Sequence, residues 1–280
     1  MNESLPPKMP AINAWLKDAA EQLATAGITS ALLDAEILLA HTLKKSRTYL
    51  HAHGDVDLSL RDYDIANARL DLRLDRTPIA YIIGHKEFYG RMFKVTPAVL
   101  IPRPESESCI QLLNTYSTHD TRTVIDVGTG SGCLGITAKL ENPQLTVTLT
   151  DISRHALVVA KQNAMSLQAD AQILQSDLLS NTPERYSCII ANLPYVDTSW
   201  ERSPETNFEP SQALFADNNG VALIAKLLDQ VPSHLLPGGL LILEADPYQH
   251  ERIITDAARH GLELLETQHY AIAFRQTVIR

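Results

Sequence analysis

The sequence predicts an α/β domain built on a largely parallel sheet, preceded by a small helical bundle. Three observations carry this. From Thr121 onward, apolar strand-like runs alternate with helical stretches, the pattern of a sheet covered by helices. Before about residue 76, apolar residues recur every three or four positions with little strand signal. Between these regions, a short segment rich in Gly and Pro changes the texture. With 280 residues, 45% of them apolar and 20% charged, the chain is long enough for two units and excludes wholesale disorder.

In the first region, Ile12, Trp15, Leu16, Ala19, Ala20 and Leu23 share one helix face, and Gly27 stops that helix. Ser30 is placed to N-cap a second helix, Ala31–Leu43, with Leu32, Ala35, Glu36, Leu39 and Leu43 along it. A third segment over about 60–74 carries Ile65, Ala68 and Leu72, with charged residues on its other face. These make a helical domain over 1–76. Residues 77–104 form the connector: two short strand-like runs around Gly90 suggest a β-hairpin, and Pro102 and Pro104 forbid helix until Glu105. The α/β domain takes 105–280. Its strands are expected at Thr123–Val127, Thr146–Thr150, Ala171–Leu174, Cys188–Ala191 and Leu240–Glu244, and its helices at Leu134–Glu141, Arg154–Leu167 and Val221–Leu235. Leu262–Glu266 and Ala271–Val278 form a closing hairpin.

The chemistry gathers at strand ends. Val124–Val127 runs into Gly128-Thr129-Gly130-Ser131-Gly132, where glycines let the backbone turn sharply and a nucleotide approach. The spacing is G-x-G-x-G rather than the G-x-G-x-x-G of a pyrophosphate cradle. Asp126, just before the turn, would repel phosphates but could hold the ammonium group of a methionine-derived amino acid. Asp151, nineteen residues beyond Gly132, ends the second strand. It can accept both ribose hydroxyls of a nucleoside, or else cap the helix that starts near Ser153. Asp177 ends the next strand run, where an adenine ring would lie. This succession favours S-adenosylmethionine over NAD. Finally, Ile189–Ala191 delivers Asn192-Leu193-Pro194-Tyr195. The Asn192 side-chain carbonyl and backbone carbonyls near Pro194 can accept the hydrogens of an NH2 group, and Tyr195 offers a flat face to an amide or a base.

With these motifs in view, the chain resembles the release factor glutamine N5-methyltransferases, the HemK/PrmC family. The resemblance spans nearly the whole chain. It includes Leu33-Asp34-Ala35-Glu36-Ile37-Leu38-Leu39, Arg76–Gly84, Glu87-Phe88-Tyr89, Leu100-Ile101-Pro102-Arg103-Pro104-Glu105, Phe208-Glu209-Pro210, and Gly238–Glu244. It implies a class I S-adenosylmethionine-dependent methyltransferase, Rossmann-like with a mostly parallel seven-stranded sheet and an N-terminal helical domain that recognises substrate. The substrate implied is the glutamine of the Gly-Gly-Gln motif in peptide chain release factors. Asn192, Pro194 and Tyr195 are then catalytic, and Arg103 joins Asn192, Leu193, Pro194 and Tyr195 in binding substrate. Asp126, Gly128, Thr129, Gly130, Ser131, Gly132, Asp151, Asp177, Leu178 and Asn192 are the cofactor-binding set. The family usually shows Asn-Pro-Pro-Tyr, and Leu193 replaces its first proline. Asn-Leu-Pro-Tyr is the form seen in rRNA adenine dimethyltransferases. Leu178 stands where the family often has an aromatic residue, and the Tyr270–Arg275 region lacks a common aspartate. Glutamine methylation of a ribosomal protein, adenine N6-methylation of RNA, and a degenerate binding module are the alternatives.

The remaining features narrow the partners. A formal charge of −9 argues against a nucleic-acid coat, although a local patch could still meet RNA. Cys109, Cys133 and Cys188 lack disulfide or zinc spacing and are expected to be buried thiols. His51 and His53 are expected in a solvated loop. No metal is expected, since a sulfonium carries its own leaving group. The opening segment has no signal-peptide core, and no apolar run approaches the ~18 residues of a membrane span. The expectation is a cytoplasmic, monomeric enzyme.

Overall fold

A computed structural model describes residues 9–277. The chain divides into two units: residues 9–84 with Pro204–Phe208, and His85–Ser203 with residues 209–277.

The first unit is helical: α1 (Ile12–Thr25), α2 (Ala31–Leu43), α3 (Arg47–Ala52), α4 (Leu60–Leu74) and α5 (Ile79–Ile83). Its core is drawn from the expected face of α1 (Ile12, Trp15, Leu16, Ala19, Leu23) with Leu38, Leu39 and Leu50. Gly27, at φ +76°, follows the end of α1. The expected core face of α4 is corrected. Ala66, Leu70 and Arg73 are buried, whereas Ala68 and Leu72 face water. The reason is electrostatic: Arg73 turns inward because buried Asp34 accepts from its Nε at 2.7 Å and Glu205 from its Nη1 at 3.1 Å. Leu32 is likewise exposed, and the polar Glu36 is buried against Arg47 and His51. Ser30 occupies the N-cap position of α2 but makes no side-chain cap bond. His51 lies within α3 rather than a loop and reaches Glu36 at 3.1 Å; His53 follows the helix and stacks on Tyr49.

The second unit opens with the hairpin β1 (His85–Phe88) and β2 (Arg91–Lys94). Tyr89 and Gly90 both have positive φ, the two-residue turn whose twist matches paired strands. Phe88 and Phe93 meet edge-to-face inside the core. Next come α6 (Glu107–Tyr116), β3 (Thr123–Val127), α7 (Cys133–Glu141), β4 (Thr146–Asp151), α8 (Arg154–Ser166), β5 (Ala171–Gln175) and β6 (Tyr186–Ala191). The chain ends with α9 (Ser211–Leu214), α10 (Ala222–His234), β7 (Leu235–Glu244), α11 (His250–Arg259), β8 (Leu262–Gln268) and β9 (Ala271–Gln276). The seven strands order as β5-β4-β3-β6-β7-β9-β8. All neighbours are parallel except β9, which runs antiparallel to both β7 and β8. Val278, assigned to the closing strand, lies outside the described residues.

The strands are apolar on both faces because both are covered. Val124, Val147, Cys188 and Ile190 pack on one side with Ile110, Leu113 and Ile136; Ile125, Ile189, Leu241 and Phe274 pack on the other with Ile224, Leu227, Leu228 and Ile253. From β3 the chain proceeds outward through β4 to β5, then returns to β6 on the other side of β3. Crevices at the carboxyl ends of strands flanking such a reversal are where open α/β sheets bind ligands. Cys109 and Cys188 are buried as expected, whereas Cys133 is only half-buried.

Candidate active site

A cavity of about 280 Å³ opens at that reversal, and every residue lining it belongs to the sheet unit. One wall is the turn after β3. Gly128, Gly130 and Gly132 have φ of +71°, +55° and +84°, a region L side chains rarely enter. A Cβ at Gly128 would come within 2.8 Å of Leu193 Cδ2, so the glycine allows this turn and the loop after β6 to lie together. A Cβ at Gly130 would meet nothing, because that face is open. Thr129 N–H donates to Thr150 O at 2.8 Å and fastens the turn to β4.

Asp126 lines the cavity but is almost sealed from water. Its Oδ2 accepts from Thr129 Oγ1 at 2.6 Å and from Gly135 N at 2.8 Å, which clamps the turn to the start of α7. Burial raises its pKa to about 6, against the pull of those two hydrogen bonds. Asp151, at the end of β4, accepts from Gly130 N at 3.0 Å and from Ser153 N at 2.8 Å. The cap of α8 is Ser153, whose Oγ accepts from Ala156 N. Asp151 thus braces the glycine turn and faces the cavity, and burial raises its pKa too. Asp177 and Leu178 line the floor beyond β5. Asp177 is half-exposed and pairs with Lys226 Nζ at 2.6 Å.

The opposite wall is the loop after β6: Asn192, Leu193 and Pro194. The Nδ2 of Asn192 donates to Ser106 Oγ at 3.1 Å, which leaves its Oδ1 as the group available to a ligand. Arg103 also borders the cavity and pairs with buried Glu209, which accepts from Ile101 N as well. One carboxylate therefore joins the Ile-Pro-Arg-Pro string to the Phe-Glu-Pro string, two segments that the sequence showed separately.

Two members of the expected set stand apart. Gly132 does not line the cavity; its open face packs on Ile136. Nor does Tyr195, expected to present its ring to substrate. Its hydroxyl donates to Glu244 Oε1 at 3.0 Å, its backbone oxygen accepts from Gln249 Nε2, and burial pushes its pKa far up. Glu244 and Ser106 were missed. Glu244 is a carboxylate at the end of an apolar strand, the same signal that exposed Asp126 and Asp151.

The fit to S-adenosylmethionine rests on this donor set. The open backbone at Gly130, the carboxylate of Asp151 and the apolar Leu178 suit a nucleoside, and Asp126 would supply negative charge toward an amino-acid end.

The seven-stranded sheet with one antiparallel strand and a glycine turn at its reversal defines a class I methyltransferase. Solved structures agree on the fold. A methyltransferase from Pyrococcus furiosus has a TM-score of 0.52 at 18% identity, over 76% of this chain and 98% of its own. The Thermus thermophilus 16S rRNA N2 G1207 methyltransferase, solved with AdoMet and guanosine, has a TM-score of 0.53 at 17% identity, over 69% and 50%. Among family models, the PrmC N-terminal domain matches residues 14–84 and the methyltransferase small domain matches residues 107–207. The release factor glutamine methyltransferase of Koribacter versatilis is 40% identical over 82% of this chain and 86% of its own length. That of Coxiella burnetii is 35% identical over 97% and 99%. The chain belongs to the release factor glutamine methyltransferase family.

Proposed function

We propose that this protein transfers a methyl group from S-adenosylmethionine to the side-chain nitrogen (N5) of the glutamine in the Gly-Gly-Gln motif of peptide chain release factors. The observation that carries the reading is Asn192. Its amide is held by Ser106 with Nδ2 engaged, so Oδ1 is left at the cavity wall to accept a hydrogen from a substrate NH2. When bound, the methyl donor supplies an electrophilic carbon on a sulfonium that leaves as a neutral thioether. An amide nitrogen is a poor nucleophile, and the loop after β6 presents no strong base. Asn192 and the backbone at Pro194 therefore act by positioning: acceptors fix the NH2 and favour the charge that develops on nitrogen as it is methylated. Gly128 to Ser131 and Asp151 hold the cofactor, with Asp126 steadying the turn and Leu178 flanking the nucleoside. Arg103, held by Glu209, borders the substrate side. The helical unit recognises the release factor, and the enzyme works as a monomer without direct nucleic-acid contact.

The test is methyl transfer from tritiated S-adenosylmethionine to purified release factor, ribosomal protein and rRNA in parallel. Label is expected in the release factor alone, at its glutamine. Asn192→Ala should lower single-turnover rates by orders of magnitude while cofactor affinity, measured by calorimetry, is much less affected. Label in rRNA instead, or full activity in Asn192→Ala, would overturn the reading.

A further inference from the structure

The site as described explains what Asn192 offers but not what keeps its amide the right way round. An amide has a donor end and an acceptor end of nearly equal size, so its orientation depends on what it bonds to. Ser106 anchors one end of the Asn192 amide, and a serine hydroxyl donates or accepts equally well. Were Ser106 to donate its proton to Asn192, the amide would turn over and present NH2 to the cavity. A donor would then face the substrate's NH2, and the acceptor would be lost.

Glu244 removes that freedom. It sits at the end of β7, beside β6, and is 1% exposed. Its Oε1 accepts from the Tyr195 hydroxyl, whereas Oε2 is buried with no hydrogen-bond partner. Ser106, 2% exposed, comes close enough to hold the carboxyl's pKa down against burial, as Tyr195 and Asn192 also do. A buried carboxylate oxygen without a donor is costly, and an ionised carboxylate can only accept. The Ser106 proton is one donor at hand, and the second hydrogen of Asn192 Nδ2 is another.

We propose that Glu244 is a positioning residue that sets the direction of a hydrogen-bond chain. The Ser106 hydroxyl donates to Glu244, is thereby obliged to accept from Asn192 Nδ2, and so turns Asn192 Oδ1 to the substrate. This deepens the reading of Asn192 given above and rests on it. No covalent step is involved; the carboxylate acts through two other side chains and touches neither substrate nor cofactor.

Glu244→Gln keeps the shape and reverses the logic, because its NH2 can donate to Ser106 and drive the chain the other way. Single-turnover methylation of release factor should fall roughly ten- to a hundredfold, as for a misplaced transition-state acceptor, while cofactor affinity and KM for release factor stay within about twofold. Ser106→Ala should lose a similar factor, and Ser106→Thr, which keeps the hydroxyl, should retain the rate. The double variant Glu244→Gln/Ser106→Ala should be no slower than the slower single, because both break one chain. Losses that multiply, or a wild-type rate in Glu244→Gln, would overturn the proposal. If Glu244→Gln does not fold, Ser106→Ala decides, and an unchanged rate there has the same meaning. Asn192→Ala separates the two levels. If it stays active, the reading of the site fails. If it is inactive while Glu244→Gln and Ser106→Ala are unaffected, only the orienting role fails.

Discussion

Asp126 shows how one residue can serve the site at a cost to the fold. Its folded pKa of about 6 lies above the ordinary carboxylate value of 3.8 because burial outweighs the hydrogen bonds from Thr129 and Gly135. Between those values the native state holds a proton that the unfolded chain releases, so stability falls as pH rises through the window. The carboxylate's contribution is fully present below about pH 4 and lost above about pH 6, a difference on the order of 3 kcal/mol. Asp126→Asn, which keeps an acceptor for both donors, should flatten that slope. Urea unfolding of both proteins from pH 4 to 7 checks it, and parallel curves would mean that Asp126 does not titrate there. At this scale the sequence revealed which carboxylates matter but not where hydroxyls point. The Asn-Leu-Pro-Tyr string shows an aromatic ring at a strand end. Only the packing of β6 beside β7 shows that the Tyr195 hydroxyl is spent on Glu244.

At the scale of elements, the site is made by two loops that pack closely where Gly128 meets Leu193. Gly128 leaves room for Leu193, a residue only 4% exposed at the cavity wall. Gly128→Ala therefore adds backbone strain at φ +71° to a clash with the Leu193 methyl. Together these should cost about 2–4 kcal/mol. In a Leu193→Ala background the clash is gone and the same substitution should cost about 1–2 kcal/mol less, the strain remaining. Equal costs in the two backgrounds, by urea unfolding, would show that the loops do not depend on this contact. The central strands β3, β4, β6 and the end of β7 were legible because β-branched and aliphatic runs buried on both faces leave little else to be. Helix α4 misled because its core face carries Arg73, which periodicity counts as polar while Asp34 makes it a core residue. Helix α11 was invisible for a related reason, since only Ile253 and Ala257 of its ten residues are buried.

For the whole molecule, the division into units sets what each can do alone. The sheet unit has apolar layers on both faces and contains the entire cavity lining, so cofactor binding is expected to need nothing from residues 9–84. The helical unit has its own core, and Pro204–Phe208 is tied to that unit by Glu205, bonded to Arg73 and Arg76. That segment leads directly into Glu209, the carboxylate that holds Ile101 and Arg103 at the cavity's edge. Removing residues 1–84 deletes Arg73 and Arg76, two partners of Glu205, but it leaves Glu209 and its partners within the remaining unit. The truncated chain, 85–280, should bind S-adenosylmethionine within a few-fold of the full protein by calorimetry and still label a short peptide carrying Gly-Gly-Gln at a low rate. It should transfer no detectable methyl to the intact release factor, because recognition of a folded substrate requires a second surface to offset the entropy lost on association. Intact factor methylated at full rate by 85–280 would place recognition in the sheet unit and leave the helical unit without that task. Loss of cofactor binding would instead show that the sheet unit depends on the helices for its own order.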